Sequence, residues 1–205
     1  NWSQVDGTAA KYAGAQPGDL IFVDSNNDGK ITEDDRTQIG NPHPDFTMGL
    51  NLNFSYKGFD LNITGAGAFG QQIAKSYRSF ADSPLQNYTT DIFGRWTGEG
   101  TSNKLPRLTS GSHTNWQNIS DIYIEDGDYL KIQNLTIGYD FKKLFPTMPL
   151  GQARLYLTAQ NLFTFTGYSG MDPEIGYGYD KSWVSGIDLG YYPSPRTYMV
   201  GVNLK

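Results

Sequence analysis

"DFTMGLNLNFSYKGFDLNITGAGAF", residues 45–69, decides the fold. Phe46, Met48, Leu50, Leu52, Phe54 and Tyr56 recur at every second position, with Thr47, Gly49, Asn51, Asn53 and Ser55 between them. Side chains alternate sides along an extended chain, so this period predicts a strand with one apolar and one polar face. Lys57-Gly58 supplies a tight turn, glycine accepting positive φ, and Phe59, Leu61 and Ile63 then alternate with Asp60, Asn62 and Thr64 on the return. The pair reads as a β-hairpin.

The same pattern recurs three times downstream. Between Asp128 and Phe141, Leu135, Ile137, Tyr139 and Phe141 share one phase while Leu130 and Ile132 fall in the other, and a bulge near Gln133-Asn134 reconciles them. In "QARLYLTAQNLFTF", residues 152–165, Leu155, Leu157, Ala159 and Phe163 alternate with Arg154, Tyr156, Thr158 and Gln160. In "TYMVGVNLK", residues 197–205, Tyr198, Val200, Val202 and Leu204 form the apolar face.

Connections divide by length. Lys57-Gly58 and "FKKLFPTMPLG" are short, whereas 70–127 and 164–195 are long, polar and rich in Gly, Tyr and Trp. Loops of that length count against a compact soluble domain. They suit an outer-membrane barrel, which has short periplasmic turns and long extracellular loops. Phe46, Tyr56, Phe59 and Phe69 stand at strand ends and Leu50, Leu52, Leu61 and Ile63 towards the middle, as aromatic girdles around an apolar band require. Alternation by itself also fits a soluble β-sandwich. Five strands cannot close a membrane barrel, so further strands must come from sequence outside these residues.

Composition agrees. Over 205 residues, 14% are aromatic, yet the mean hydropathy is -0.51. Strands with a single greasy face reconcile those figures. No apolar run reaches the length of a membrane helix, a test that β-strands escape. A net charge of -5 argues against nucleic acid, whose phosphates need clustered Lys and Arg. Cysteine is absent, which removes disulfides, thiolate catalysis and Cys-ligated zinc. The first residues, "NWSQVDGTAAKY", show no signal-peptide pattern, so the expectation is either an intracellular protein or a start lying further upstream.

Four stretches carry a family likeness: "QPGDLIFVDSNNDGKITEDDRTQIGNPHPDFTMGLNLNFSYKGFDL", "YIEDGDYLKIQNLTIGYDF", "RLYLTAQNLFTFTGYSGMDPEIG" and "YYPSPRTYMVGVNLK". In this order they resemble the C-terminal end of the SusC/RagA-type TonB-dependent transporters of the Bacteroidetes outer membrane. The resemblance implies an all-β fold: the C-terminal strands, about five, of a large antiparallel transmembrane β-barrel of about 22 strands with long extracellular loops. Residues 1–44 would be an extracellular loop, and residues 45–205 the end of the barrel with extracellular loops 70–127 and 164–195. It further implies a plug and a TonB-contacting part elsewhere in the protein, and a SusD-like surface lipoprotein as lid. The implied function is nutrient import across the outer membrane without catalysis, the nutrient being an oligosaccharide or, alternatively, a peptide. Family members end in an aromatic residue, and the alternation expects an apolar one after Lys205, in phase with Leu204.

"DSNNDGKITEDD", residues 24–35, has calcium-loop spacing. Asp24, Asn26 and Asp28 fall at the first, third and fifth positions, Gly29 at the sharp turn, then the Lys30 carbonyl, Thr32 and finally Asp35. Such spacing wraps oxygens round a hard cation, so a structural Ca²⁺ is expected at Asp24, Asn26, Asp28, Lys30, Thr32 and Asp35. The short reach of Asp35, where Glu is usual, leaves room for a water. A solvated acidic turn is the alternative.

Among the long-loop aromatics, Trp96, Trp116, Tyr168, Tyr177 and Trp183 are the candidates for substrate or lid contact, since flat rings stack on sugars and also suit protein interfaces. His43 and His113 have no metal spacing, and "GAGAFG" lacks the helix and acidic partner of a dinucleotide site. Carboxylates such as Glu125-Asp126 or Asp121 and Asp128 do not by sequence make a glycosidase dyad. Two further readings remain open: a soluble, calcium-stabilised carbohydrate-binding β-sandwich, and a secreted hydrolase.

Overall fold

A computed structural model describes residues 12–76, 90–109, 113–118, 120–174 and 185–205. Its strands are β1 (Phe46–Tyr56), β2 (Phe59–Phe69), β3 (Gln72–Lys75), β4 (Ile124–Asp126), β5 (Tyr129–Asp140), β6 (Ala153–Thr166), β7 (Ile187–Asp188) and β8 (Thr197–Leu204). Among the described residues, helical structure is limited to one turn of α-helix, α1 (Thr114–Gln117), and short 3-10 turns. All five strands read from the alternation are present. They form one antiparallel sheet in the order β1-β2-β5-β6-β8, and β4-β3-β7 form a smaller one. The large sheet is open at β1 and β8 and does not close into a barrel.

The hairpin register holds throughout, from Tyr56 opposite Phe59 to Phe46 opposite Phe69. Lys57 and Gly58 both take positive φ, 47° and 92°, the mirror-image turn whose twist matches the flanking strands. Register then carries the parity across the sheet: Leu52 faces Ile63, Ile63 faces Leu135, Leu135 faces Ala159 and Ala159 faces Tyr198. At Gln133 the parity resets. Thr64 pairs with Asn134 but Gly65 with Ile132, and in the next ladder Asn134 pairs with Gln160 but Ile132 with Phe163. The bulge returns Leu130 and Ile132 to the apolar side and sends Lys131 to the polar side. Across from it, Asn161 adopts φ 51°, so β6 carries its own irregularity at the same level.

Nothing covers the apolar face among the described residues. Phe54, Leu157, Val200 and Val202 are 59%, 56%, 71% and 59% exposed. Rings gather at both ends of that face: Phe59, Tyr139 and Phe141 in edge or tilted contact at one, Phe46 stacked on Phe69 at 4.9 Å and Phe163 beside Phe165 at the other. An apolar band between two aromatic rows is the pattern that the outer surface of a membrane barrel shows, where hydrocarbon takes the place of a protein core.

The described residues group into two compact units. One holds the chain up to Gly40 together with Lys75–Ile124, and the other holds Asn41–Ala74 together with Glu125–Lys205 and contains the large sheet.

Candidate functional site

The polar face of the large sheet is a continuous hydrogen-bonded surface. Asn53 donates to Asn51 Oδ1 at 2.9 Å, Asn62 donates to Asn53, and Asn134 donates to Thr136 Oγ1 at 3.3 Å. The Thr136 and Thr158 hydroxyls are 2.9 Å apart. These residues come from four strands but share one face, because the register fixes their parity.

Towards the short-turn end, Arg154 on β6 reaches over β5 to Asp60 on β2, with Nε to Oδ1 at 2.8 Å and Nη2 to Oδ2 at 2.6 Å. Glycine makes this possible. A Cβ on Gly138, the β5 residue between them, would lie 2.6 Å from Arg154 Nε and from Asp60 Oδ1. The guanidinium also sits 4.7 Å from the Tyr156 ring, which in turn lies over Gly201, where a Cβ would be 2.2 Å from its Cζ. Two long side chains, Arg154 and Tyr156, thus lie along the wall instead of projecting from it.

At the other end the loop bases are fastened to the wall. Lys131, 3% exposed, pairs with Glu174 and stands 3.8 Å from Asp172 Oδ2. A buried ammonium needs such partners, since leaving it alone would cost several kcal/mol. Asp172 Oδ1 accepts the Glu174 amide at 3.0 Å. The Tyr168 hydroxyl donates to Asp188 Oδ2 at 2.6 Å, and Gly190 N–H donates to its Oδ1 at 2.8 Å. Glu125 accepts both the amide and hydroxyl of Ser169 at 2.9 Å, and Asp128 accepts Gly70 N–H at 2.6 Å.

The other unit has its own polar centre. Asp19 accepts from Arg107 Nε at 2.7 Å and from Asn115 Nδ2 at 2.9 Å, while Asn115, fully buried, accepts from Tyr12 and from Leu20 N–H, each at 3.0 Å. Burial pushes the Asp19 carboxyl up, but the hydrogen bonds from Arg107, the Gln16 amide and Asn115, with the Arg107 charge, outweigh it and hold the group below its ordinary value. Burial also raises the Tyr12 hydroxyl, with Asp19 adding to the effect. His113 caps α1 by accepting from Asn115 N–H at 3.2 Å. His43 belongs to the unit with the large sheet and lies in a turn, its amide donating to Asn41 Oδ1 at 3.1 Å.

The acidic loop is wired through its own backbone. Asp24 accepts from the amides of Asp28 and Gly29, Asn26 from Asp28, Asp28 from Lys30 at 2.8 Å, and Asp35 from Ser25 and Thr32. Thr32 and Asp35 form a reciprocal capping box. The Thr32 amide chiefly holds the Asp35 carboxyl below its ordinary value. Gly29, at the turn position, has φ 82°. The donor chemistry, carboxylate, amide, carbonyl and hydroxyl oxygen, fits a hard cation. The convergence differs: among the described residues no group of three or more acidic or histidine side chains gathers at one point.

Of the aromatic candidates, Tyr168 is buried at the Asp188 contact. Trp96 packs its ring against Gly18, where a Cβ would lie 2.3 Å from the indole, and its buried N–H has no acceptor among the described residues. Trp116 lies in α1, and Tyr177 and Trp183 fall outside the described residues. Among the described residues the most exposed loop rings are others: Phe93 at 82% and Tyr192 at 88%. Sequence reasoning missed the Asp19 centre, whose partners stand 88 and 96 residues away, and the Lys131 anchor, whose side of the sheet depends on the bulge.

No protein-family model matches the chain. It is 36% identical over 205 residues to "TonB-dependent receptor P3" of Formosa agariphila, covering 98% of this chain and 20% of that protein. It is 29% identical over 192 residues to "TonB-dependent receptor SusC" of Bacteroides thetaiotaomicron, covering 93% and 18%. Among solved structures it resembles the RagAB peptide importer in the closed-closed state, with a TM-score of 0.66 and 26% identity over 86% of this chain and 19% of that one. A second RagAB structure, of the peptide transporter, gives 0.61 and 26% over 79% and 17%. The chain thus spans about a fifth of the length of the curated relatives it matches.

Proposed function

We propose that this chain, which aligns along nearly its whole length with about a fifth of curated TonB-dependent receptors, forms part of the wall of an outer-membrane nutrient importer. One observation carries the reading: among the described residues the apolar face of the large sheet is left uncovered and is bounded by two aromatic rows. In a soluble sandwich that face would be the core.

The polar face borders a water-filled lumen and its plug, the short turns face the periplasm, and the long connections build the extracellular vestibule. Transport is energised through TonB, and a SusD-like lipoprotein closes over the loops. The chain contributes no covalent chemistry. The proposed cargo is an oligosaccharide, with loop aromatics supplying stacking surfaces. A peptide cargo is the second reading, supported by the description of the RagAB neighbours as a peptide importer. The acidic loop is proposed to hold a structural Ca²⁺ through Asp24, Asn26, Asp28, the Lys30 carbonyl, Thr32 and Asp35.

These 205 residues contain no cysteine, so single cysteines placed in them report the faces of the sheet once any cysteine elsewhere in the receptor is replaced. In the full receptor reconstituted in lipid, Asn53→Cys and Thr158→Cys should react with a water-soluble maleimide while Phe54→Cys and Leu157→Cys stay protected. The reverse pattern would end the barrel reading. Mass spectrometry of material co-purifying with the receptor and its lid separates glycan from peptide.

A further inference from the structure

At the short-turn end of the large sheet two connections meet. Asp140 N–H donates to Gly58 O at 2.8 Å, and the stem of Lys143 covers Gly58, where a Cβ would lie 2.9 Å from its Cγ. Lys57 holds its ammonium 5.2 Å from the centroid of Tyr56. Lys142 donates from Nζ to Met148 O at 2.6 Å. Three lysines therefore belong to the two turns from which the aromatic row Tyr56, Phe59, Tyr139 and Phe141 springs, Lys57 against Tyr56 itself, and the second turn exposes Leu144 and Phe145.

The carboxylates here are engaged elsewhere. Asp60 is forked onto Arg154 on the polar face, and Asp140 Oδ1 accepts the amides of Lys142 and Ala153. Among the described residues no carboxylate lies within ion-pair distance of Lys57, Lys142 or Lys143. In a chain of net charge -5 this edge is cationic. Lysines whose stems run along apolar surface while their heads reach water occupy the level of lipid headgroups. A clustered positive charge at that level attracts anionic lipid, and Lys binds phosphate as a point charge.

We propose that this edge is a binding site for anionic glycerophospholipid, its phosphate held between Lys57 and Lys143 and its acyl chains laid along Phe59, Tyr139 and Phe141. The proposal rests on the barrel reading. It also commits to one leaflet: short turns face the periplasm, where the lipid is glycerophospholipid, so the phosphates of lipid A in the opposite leaflet are not the ligand.

The test is native mass spectrometry of the full receptor in detergent, titrated with phosphatidylglycerol, phosphatidylcholine or lipid A. Wild-type receptor should retain phosphatidylglycerol in preference to the other two. Lys57→Gln with Lys143→Gln, which keeps the stem over Gly58, should weaken that retention roughly fivefold per lysine, about 30-fold together. Lys57→Arg with Lys143→Arg should restore it. Equal retention of phosphatidylglycerol by the glutamine variant, or equal retention of phosphatidylcholine or lipid A by the wild type, overturns the proposal. A receptor that stays monodisperse without detergent would instead sink the barrel reading, so the two failures are distinguishable.

Discussion

Replacing Gly138 by alanine tests whether the polar wall is flat because glycine clears a path for the Asp60–Arg154 pair. The added Cβ would sit 2.6 Å from Arg154 Nε, 2.6 Å from Arg154 Nη2 and 2.6 Å from Asp60 Oδ1, about an ångström inside ordinary contact with both partners at once. Neither can retreat while keeping the two-pronged geometry. Overpacking of this kind costs about 1–3 kcal/mol. Losing the ion pair, whose side chains are 20% and 34% exposed, adds about 0.2–1 kcal/mol after solvent screening. Against this, alanine restricts the unfolded chain more than glycine, a gain of about 0.4–1 kcal/mol. A net destabilisation of about 1–3 kcal/mol follows. Remove the obstacle first and the sign should change: with Asp60→Ala and Arg154→Ala in place, Gly138→Ala should stabilise by about 0.4–1 kcal/mol. Reversible denaturant unfolding of the four receptors in lipid vesicles measures the cycle. Equal cost of Gly138→Ala in both backgrounds would refute the clearance argument.

Acid should loosen the loop unit through Asp19. Its carboxyl lies below the ordinary 3.8 when folded, so its stabilisation is complete above that value and is lost as pH falls through the folded value. Hydrogen-exchange protection factors at the Gln16, Leu20 and Arg107 amides, taken against the intrinsic rate at each pH, should therefore fall below about pH 4, and Asp19→Asn should flatten that dependence. At the acidic loop, calorimetric titration should find one Ca²⁺ bound, lost in Asp28→Ala. An EDTA-treated structure unchanged over Asp24 to Asp35, with no ion density before treatment, would refute the clip. Tyr168→Phe keeps the ring but removes a donor from the buried Asp188 carboxylate, and should raise exchange at the Gly190 amide by about 1–3 kcal/mol of local stability.

The barrel strands were legible because each presents two uncovered faces of opposite character, leaving no tertiary contact to blur the period of two. Even the bulge was readable, since Leu130 and Ile132 fall out of phase with Leu135 and Ile137. The small sheet was not. "QIAK", "IED" and "ID" are too short to show a period, and only the loops around them define their pairing. The acidic loop shows the opposite limit: spacing announces the donor types, while the convergence of their oxygens depends on which backbone amides compete for them. Clearances at Gly138 and Gly201 were equally hidden, because a glycine in a strand says that something comes close without saying what.

The extra residue at Gln133 governs which face of the sheet Lys131 takes. Shorten β5 by that one residue and everything before it rotates by half a turn: Leu130 and Ile132 swing into water and the ammonium is driven out among acyl chains, a transfer costing about 2–4 kcal/mol for a lysine at mid-membrane and less near the surface. Glu174 would lose its partner in the same step. Length variation at this level of the wall is therefore tolerable only in pairs of residues, so that a descendant gene gaining or losing a single codon there would be filtered out at insertion, before any cargo was ever met.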